Sequence, residues 1–139
     1  MSPVFLPHGQ FHSWIDGRYV ISDVTGPWNK ELVVDWVGHV YPFAQELSLT
    51  GPHVGIAVVH QSLMCPPDAL EELGLAVRYS VRKLDCIAHL IVAAPSVEGR
   101  EFMARTYGRL YHELCPHSFF NTMEEARSFA APLLAARGF

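Results

Sequence analysis

Histidine and cysteine are the side chains whose types and spacing could support chemistry in this chain. There are eight histidines and three cysteines among 139 residues, and the segment HELCPH places His112, Cys115 and His117 close together. A structural zinc site needs four converging ligands, commonly in two pairs, and the sequence offers no second pair of this kind. We therefore predict no metal site. We place His112 and Cys115 in the last turn of a helix, where an imidazole favours the negative end of the helix dipole.

Nucleophilic catalysis would be served best by Cys65 with His60, or by Ser62 with His60. Neither pair has the sequence context that such chemistry needs. There is no Gly-x-Ser-x-Gly turn, and Cys65 precedes two prolines without a basic neighbour to favour its thiolate. We therefore predict no catalytic residue and no cofactor.

Composition favours a single cytoplasmic domain. Half of the residues are apolar, which is enough for one hydrophobic core at this length. The formal net charge is -4 and the ten basic residues are scattered, so we expect no nucleic-acid binding. The odd number of cysteines without CxxC spacing suits free thiols in a reducing compartment.

The N-terminal segment has neither the basic nor the apolar region of a secretory signal, and no apolar run is long enough to span a membrane. We expect residues 1–10, which contain two prolines, to form an irregular lead-in. Residues 11–139 should form one domain, because repeats, low-complexity tracts and linkers are absent from the sequence.

The segment FHSWIDGRYVISDVTG predicts a β-hairpin that turns at Asp16 and Gly17. Gly26 and Pro27 should end its second strand, because proline supplies no donor to a sheet. A helix with apolar positions at three- and four-residue spacing then begins at Lys30, and Pro42 should kink it or break its last turn.

Short apolar runs alternate with amphipathic runs in the remainder of the chain. The strands are predicted at VGIAVV, CIAHLIVAA and SFFN. Each helix begins at a residue suited to capping, and these residues are Asn29, Asp68, Ser96 and Thr122. The order β-β-α-β-α-β-α-β-α predicts an α/β sandwich with a mostly parallel sheet of about five strands, an N-terminal hairpin and four helices.

This element order, taken with GPWNKEL after the second strand and PDALEELGLAVRYSVRKL after the third, resembles the STAS/SpoIIAA-like family. More narrowly, it is similar to a bacterial SpoIIAA-like branch with a Gly-Pro-Trp-Asn element. The resemblance implies a regulatory or protein-interaction domain rather than an enzyme. It extends from Phe11 to the C-terminus.

In the anti-sigma-factor antagonists of that family, the loop after the third strand carries a phosphorylated Ser or Thr in an Asp-Ser-Ser-Gly motif. Here the loop reads HQSLMCPPDALEELG, which lacks the motif and has Ser62 as its one hydroxyl residue. Pro67 and Asp68 stand where the phosphoacceptor should be, so the phosphorylation switch is not implied. Some relatives are grouped with CRAL-TRIO/SEC14-like lipid-binding domains, which implies a small apolar ligand as the alternative.

Our main hypothesis places a protein-partner or ligand site on the loops after the second and third strands, because open α/β sheets bind ligands beyond the carboxyl ends of parallel strands. Its residues are Trp28, Asn29, His60, Gln61, Ser62 and Asp68. Capping and core packing are competing explanations for Trp28, Asn29 and Asp68.

The alternative is an apolar-ligand carrier with a cavity between the first helix and the sheet, lined by Trp36, Val40 and Phe43. His89 interrupts an apolar strand, and we assign it a hydrogen-bonded structural role over an exposed one. The aromatic-rich hairpin and the edge strands also lead us to expect a homodimer.

Overall fold

The computed structural model describes residues 6–139, which form one five-stranded sheet and four helices. The elements in chain order are β1 (Gln10–Asp16), β2 (Tyr19–Thr25), α1 (Lys30–Ser48), β3 (His53–His60), α2 (Pro67–Lys83), β4 (Cys86–Val92), α3 (Arg100–Tyr111), β5 (His117–Phe120) and α4 (Met123–Ala135). This order confirms the predicted α/β fold. The part of the predicted lead-in that falls on residues 1–5 lies outside the described residues, and β1 begins at Gln10.

The five strands lie side by side in the order of the sequence. β1 pairs with β2 in antiparallel fashion, and β2, β3, β4 and β5 are parallel to one another. Each parallel neighbour is reached through one helix, as a crossover connection requires. The carboxyl ends of the four parallel strands therefore meet at one edge of the sheet.

The hairpin turns one residue later than the sequence suggested. Asp16 is the last residue of β1 and pairs with Tyr19, so the two loop residues are Gly17 and Arg18. Gly17 has a φ of 59°, whereas Arg18 is not among the residues with positive φ. Glycine at the first loop position is what a type II′ turn needs, and this requirement fixes the register.

Two hydrophobic layers hold the helices on opposite faces of the sheet. α1, α2 and α3 pack on one face against Val24, Ala57 and Ile91. α4 packs on the other face through Ala126 and Ala130, against alternate residues of β2, β3 and β4. Because successive strand residues point to opposite faces, both layers can be apolar along the central strands.

The start of α1 confirms Asn29 as its N-cap. The Asn29 side-chain oxygen accepts hydrogen bonds from the backbone N–H of Leu32, at 3.0 Å, and of His8, at 2.8 Å. Its Nδ2 donates to the carbonyl oxygen of Leu6 at 2.9 Å. Asn29 therefore both begins the helix and ties the preceding segment to it. α1 continues for six residues beyond Pro42, so the proline does not break its last turn.

Two predicted caps are wrong. α2 has Pro66 at its N-cap and Pro67 in its first turn, and the Asp68 carboxylate accepts only from the adjacent N–H of Ala69. Proline suits the first helical position because its missing N–H would have had no partner there. α3 begins after Gly99, whose φ of 78° favours glycine, and not at Ser96.

The C-terminal elements follow the predicted order with one correction. The Thr122 hydroxyl accepts from the Glu125 N–H at 3.2 Å, which confirms the predicted cap of α4. α3 ends at Tyr111 with His112 as its C-cap, so Cys115 lies beyond the helix and not in its last turn.

We expect Asn29→Ala to lower the free energy of unfolding by about 1 to 2 kcal/mol, because the cap of α1 is lost. Asn29→Asp keeps an oxygen for Leu32 and loses only the donor to Leu6, so its loss should be smaller. Urea unfolding of the two variants measures both values. Equal losses would contradict a capping role for this side chain.

Candidate functional site

The carboxyl edge of the parallel strands gathers the loop segments that the sequence singled out. The N–H of Gly26 donates to the carbonyl oxygen of His60 at 3.0 Å, which joins the loops after β2 and β3. The N–H of Glu98 donates to the carbonyl oxygen of Gln61, and the N–H of Leu63 donates to that of Glu98. These backbone bonds hold three loops together as one surface.

Gly26 is required at this junction. A Cβ atom at this position would collide with the carbonyl oxygen of Ser62. A residue without a side chain is needed where two backbones approach so closely. The glycine of the Gly-Pro-Trp-Asn element therefore has a structural role.

Three of the six predicted site residues make packing or hydrogen-bonding contacts within the fold. Trp28 is buried and packs edge-to-face on Trp36, with ring centroids 6.3 Å apart. Asn29 caps α1. Ser62 is buried, and its hydroxyl donates to Glu98 at 2.8 Å and accepts from the N–H of Met64. These residues position the loops and offer little surface to a partner.

The other three predicted residues, His60, Gln61 and Asp68, are exposed. Nε2 of His60 lies 2.9 Å from Oδ1 of Asp23, and both side chains are about half exposed. Gln61 has a φ of 67°, an uncommon backbone conformation for a residue other than glycine. The structure thus divides the predicted set into three residues with structural roles, of which Trp28 and Ser62 are buried and Asn29 is partly exposed, and three residues that face solvent.

A separate cavity of about 320 Å³ lies between α1, α2 and the sheet. Its floor is formed by residues of β2, β3 and β4, and its two walls are formed by the facing sides of the two helices. The floor residues are Val20, Ser22, His53, Gly55, Ile56, Ala57, Cys86 and His89. A volume of about 300 to 1,000 Å³ is typical of small-molecule sites.

Small side chains in the centre of the sheet help to create this space. Gly55 and Ala57 lie two residues apart on the same face of β3, beneath the gap between the two helices. Trp36 and Val40 extend from α1, and Leu73 extends from α2 on the opposite wall. The small size of Gly55 and Ala57 therefore leaves space between the two helices and this part of the sheet.

The polar groups of Ser22 and Trp36 satisfy each other. Trp36 Nε1 donates to the Ser22 hydroxyl at 2.8 Å, and that hydroxyl also lies 2.7 Å from the hydroxyl of Ser13. The thiol of Cys86 donates to the carbonyl oxygen of Ala88. These groups are therefore already paired and leave little hydrogen-bonding capacity for a ligand.

The two histidines of the floor, unlike the polar groups above, each have a ring nitrogen that is not hydrogen-bonded. Nδ1 of His53 and Nδ1 of His89 are buried and have no hydrogen-bond partner among residues 6–139. Burial lowers the pKa of His53 to about 4, although the nearby backbone of Leu84 opposes this shift. Burial also lowers the pKa of His89 to about 4, and the neighbouring His53 and His117 add to the effect. Both imidazoles are neutral at physiological pH.

Tyr41 of α1 and Tyr79 of α2 flank the mouth of the cavity. Their rings lie 5.8 Å apart and their hydroxyl oxygens lie 3.4 Å apart. Both side chains belong to the cavity lining and are also exposed to solvent. The pair therefore bridges the two helices where the cavity opens.

The cavity matches part of the predicted carrier site. Trp36 and Val40 line it, whereas Phe43 is half-buried outside the lining. The wall formed by α2 and the position of His53 in the floor were not predicted from the sequence. A glycine within an apolar strand often marks a close approach by another group, and Gly55 was the signal that could have located the floor.

No group of three or more His, Cys, Asp or Glu side chains within residues 6–139 could hold a metal ion. Burial raises the pKa of the Cys65 thiol, which disfavours the thiolate that nucleophilic chemistry needs. Within the same range, no helix is long and apolar enough to cross a membrane.

Comparison of the chain with protein-family models, curated proteins and solved structures found no match. The resemblance to STAS/SpoIIAA-like proteins therefore stays a prediction from sequence motifs.

We expect the free energy of unfolding to fall as pH is lowered from 7 to 4. Histidine titrates near 6.5 in an unfolded chain, whereas His53 and His89 titrate at about 4 in the folded protein. Between these values the unfolded chain binds more protons, so acid favours unfolding, by on the order of 3 kcal/mol for each imidazole. Urea unfolding across this pH range measures the slope.

The variant His89→Gln should show a shallower slope, and His39→Gln, at an exposed position of α1, serves as its matched control. A wild-type slope in His89→Gln would contradict the assignment of acid sensitivity to His89. Asp85 and Arg18 lie near His53 and contribute to its pKa, so both are kept unchanged.

Proposed function

We propose that this protein binds a small, mainly apolar molecule in the cavity between α1, α2 and the sheet. The observation that carries the proposal is the cavity itself, about 320 Å³ in volume and lined mainly by apolar side chains. An apolar cavity of about 150 Å³ is sufficient to hold benzene, so this one is large enough for a molecule of one or two rings.

The chemistry of the lining supports binding rather than catalysis. The walls present aliphatic and aromatic side chains, among them Trp36, Val40, Leu73 and Tyr79. The floor adds a few polar groups in fixed positions. A mostly apolar space with few, well-placed polar groups is the usual construction of a small-molecule site.

The position of the cavity also suits a carrier or a sensor. The ligand would lie between two neighbouring helices that each contact the sheet, with the Tyr41–Tyr79 pair at the mouth. A bound molecule would add packing contacts to both walls at once. Binding would therefore stabilise the packing of α1 and α2 on the sheet.

A second candidate function is the regulatory or protein-interaction role implied by the resemblance to STAS/SpoIIAA-like proteins. It is supported by the exposed half of the predicted set, because His60, Gln61 and Asp68 share the carboxyl edge of the sheet. The positive φ of Gln61 fits a surface loop with a functional constraint. In this proposal the partner is a protein that contacts the loops after β2 and β3.

The cavity proposal is tested by Ala76→Leu, which places a larger side chain on the α2 wall. We expect n-propylbenzene to bind the wild-type protein and to bind this variant at least tenfold more weakly. The larger side chain fills apolar space, so the melting temperature should stay the same or rise. Saturation-transfer difference NMR measures binding, and calorimetry measures stability.

Ala131→Leu is the matched control, because Ala131 is an exposed residue of α4 on the opposite face of the sheet. It should bind n-propylbenzene as the wild type does. Mass spectrometry of organic extracts adds an independent measurement: a compound that co-purifies with the wild type should be missing from Ala76→Leu. Equal binding by all three proteins would refute the cavity as the site.

The edge proposal is tested by replacing His60, Gln61 and Asp68 together with alanine. A protein partner that wild type retains in a quantitative pull-down should be lost from this variant. A triple alanine variant at the exposed positions Glu124, Ser128 and Phe129 of α4 is the control. Retention of the same partners by the edge variant would reject this surface.

A further inference from the structure

Glu72 of α2 is the one charged side chain that lines the cavity within the described chain. The other polar groups of the lining are hydroxyls, a thiol and the two neutral imidazoles. No Lys or Arg of residues 6–139 belongs to the lining. The fixed charge that a bound molecule meets on the inner surface is therefore negative.

The protein leaves the charge of Glu72 without a basic partner. Among residues 6–139 Glu72 forms no salt bridge, whereas Asp16 and Asp85 are each paired with an arginine. Glu72 is partly exposed and lies beside apolar surface, where an ion pair is stronger than in open water. A cation bound in the cavity would therefore gain a partner that no other group occupies.

Glu72 lies towards one end of the cavity, away from the Tyr41–Tyr79 pair. It precedes Tyr79 on α2 by seven residues, which corresponds to about 10 Å along the helix axis. Trp36 precedes Tyr41 on α1 by five residues, and the two helices run in the same direction because both lead into parallel strands from the same edge of the sheet. A molecule that extends from the tyrosine pair past Trp36 therefore ends near Glu72.

The aromatic residues of the lining favour the same sign of charge as Glu72. Trp36, Tyr41 and Tyr79 all belong to the lining, and the face of an aromatic ring attracts an ammonium group. The formal net charge of -4 also favours the approach of a cation over that of an anion.

The nearest cation of the protein does not serve the cavity. Arg18 lies near His53, but it is outside the lining. Its guanidinium donates to the carbonyl oxygens of Pro52 and Leu47 and to the hydroxyl of Thr50. An anionic ligand would therefore lose hydration without gaining a cationic partner.

We propose that the ligand is an amphiphilic amine, whose apolar body fills the space between α1 and α2 and whose ammonium group pairs with the carboxylate of Glu72. This inference rests on the proposed function and adds the chemical class of the ligand. Because Glu72 is partly exposed, the ammonium group keeps part of its hydration while the apolar body is buried.

The test compares n-propylbenzene, 3-phenylpropylamine, 3-phenylpropanol and 4-phenylbutyrate on the wild-type protein by ligand-observed NMR titration. All four share the phenylpropyl body, and the last three end in an ammonium, a hydroxyl and a carboxylate group. We expect the amine to bind about fivefold more tightly than the alcohol, as a favourable ion pair at a partly exposed site supplies. The carboxylate should bind most weakly.

Two results would contradict different parts of the argument. Binding of none of the four molecules would overturn the proposed function itself. Binding of propylbenzene, with the amine no tighter than the alcohol, would leave the cavity as a site and overturn the assignment of an amine.

Glu72→Gln keeps the shape of the side chain and removes its charge. The ratio of amine to alcohol affinity should fall to about one in this variant, while propylbenzene binding persists. Glu71→Gln is the matched control, because Glu71 is the adjacent residue of α2, is exposed and lies outside the lining. It makes the same change in net charge and should retain the wild-type ratio. An equal fall in both variants would show a general effect of charge and overturn the inference.

Glu72→Lys reverses the charge at the same position. In this variant 4-phenylbutyrate should bind more tightly than 3-phenylpropylamine, whereas Glu71→Lys should keep the wild-type order. A folded Glu72→Lys protein that still binds the amine most tightly would show that the ammonium group lies elsewhere.

Discussion

The order of the strands constrains the rest of this structure. Because β2, β3, β4 and β5 are parallel neighbours in chain order, each must be reached by a crossover of the same hand, and α1, α2 and α3 are placed side by side on one face. α4 does not connect two of these strands, and it covers the other face. The cavity lies where two of the crossover helices pass over the smallest residues of the sheet. The strand order therefore sets the location of the cavity, and the small side chains at this point set its depth.

Within that cavity, stability and the proposed binding make opposite demands on the same residues. Apolar side chains in place of His53 and His89 would leave no unpaired buried nitrogen in the floor. Retaining two neutral imidazoles there lowers stability in acid. A cost of this kind, concentrated at one concave site, is characteristic of positions that serve a function. The carboxyl edge has one such atom, Nε1 of Trp28, which is buried without a hydrogen-bond partner among residues 6–139, whereas Asn29 and Ser62 are hydrogen-bonded there.

The elements could be predicted from sequence because their signals are local. Alternating apolar runs predicted all five strands, and Asn29 and Thr122 were identified as caps because each precedes a clear amphipathic run. The caps at Asp68 and Ser96 were wrong because proline and glycine compete with polar side chains for helix starts, and a single sequence does not rank them. The predicted turn was displaced by one residue because Gly17 can be the second loop residue of a type I′ turn or the first of a type II′ turn.

The candidate site was harder to predict because it depends on distances between elements. Periodicity identifies which face of α1 is buried, and so Trp36 and Val40 were found. It does not give the lateral separation of α1 and α2, which is set by side chains distant in the chain. The wall from α2 and the proximity of His53 to His89 therefore emerge only in three dimensions. Likewise, the burial of Ser62 depends on Glu98, which lies 36 residues away.

The Tyr41–Tyr79 pair has a consequence for how fast a molecule could exchange with the interior. The two phenols contact each other through their rings and one long hydroxyl contact, and both are partly exposed to solvent, so they can part by rotation about side-chain bonds. Rotations of exposed side chains occur in picoseconds to nanoseconds, far faster than movements of whole helices. The residence time of a bound molecule would then depend on how well it fits the cavity and not on the opening of the Tyr41–Tyr79 pair.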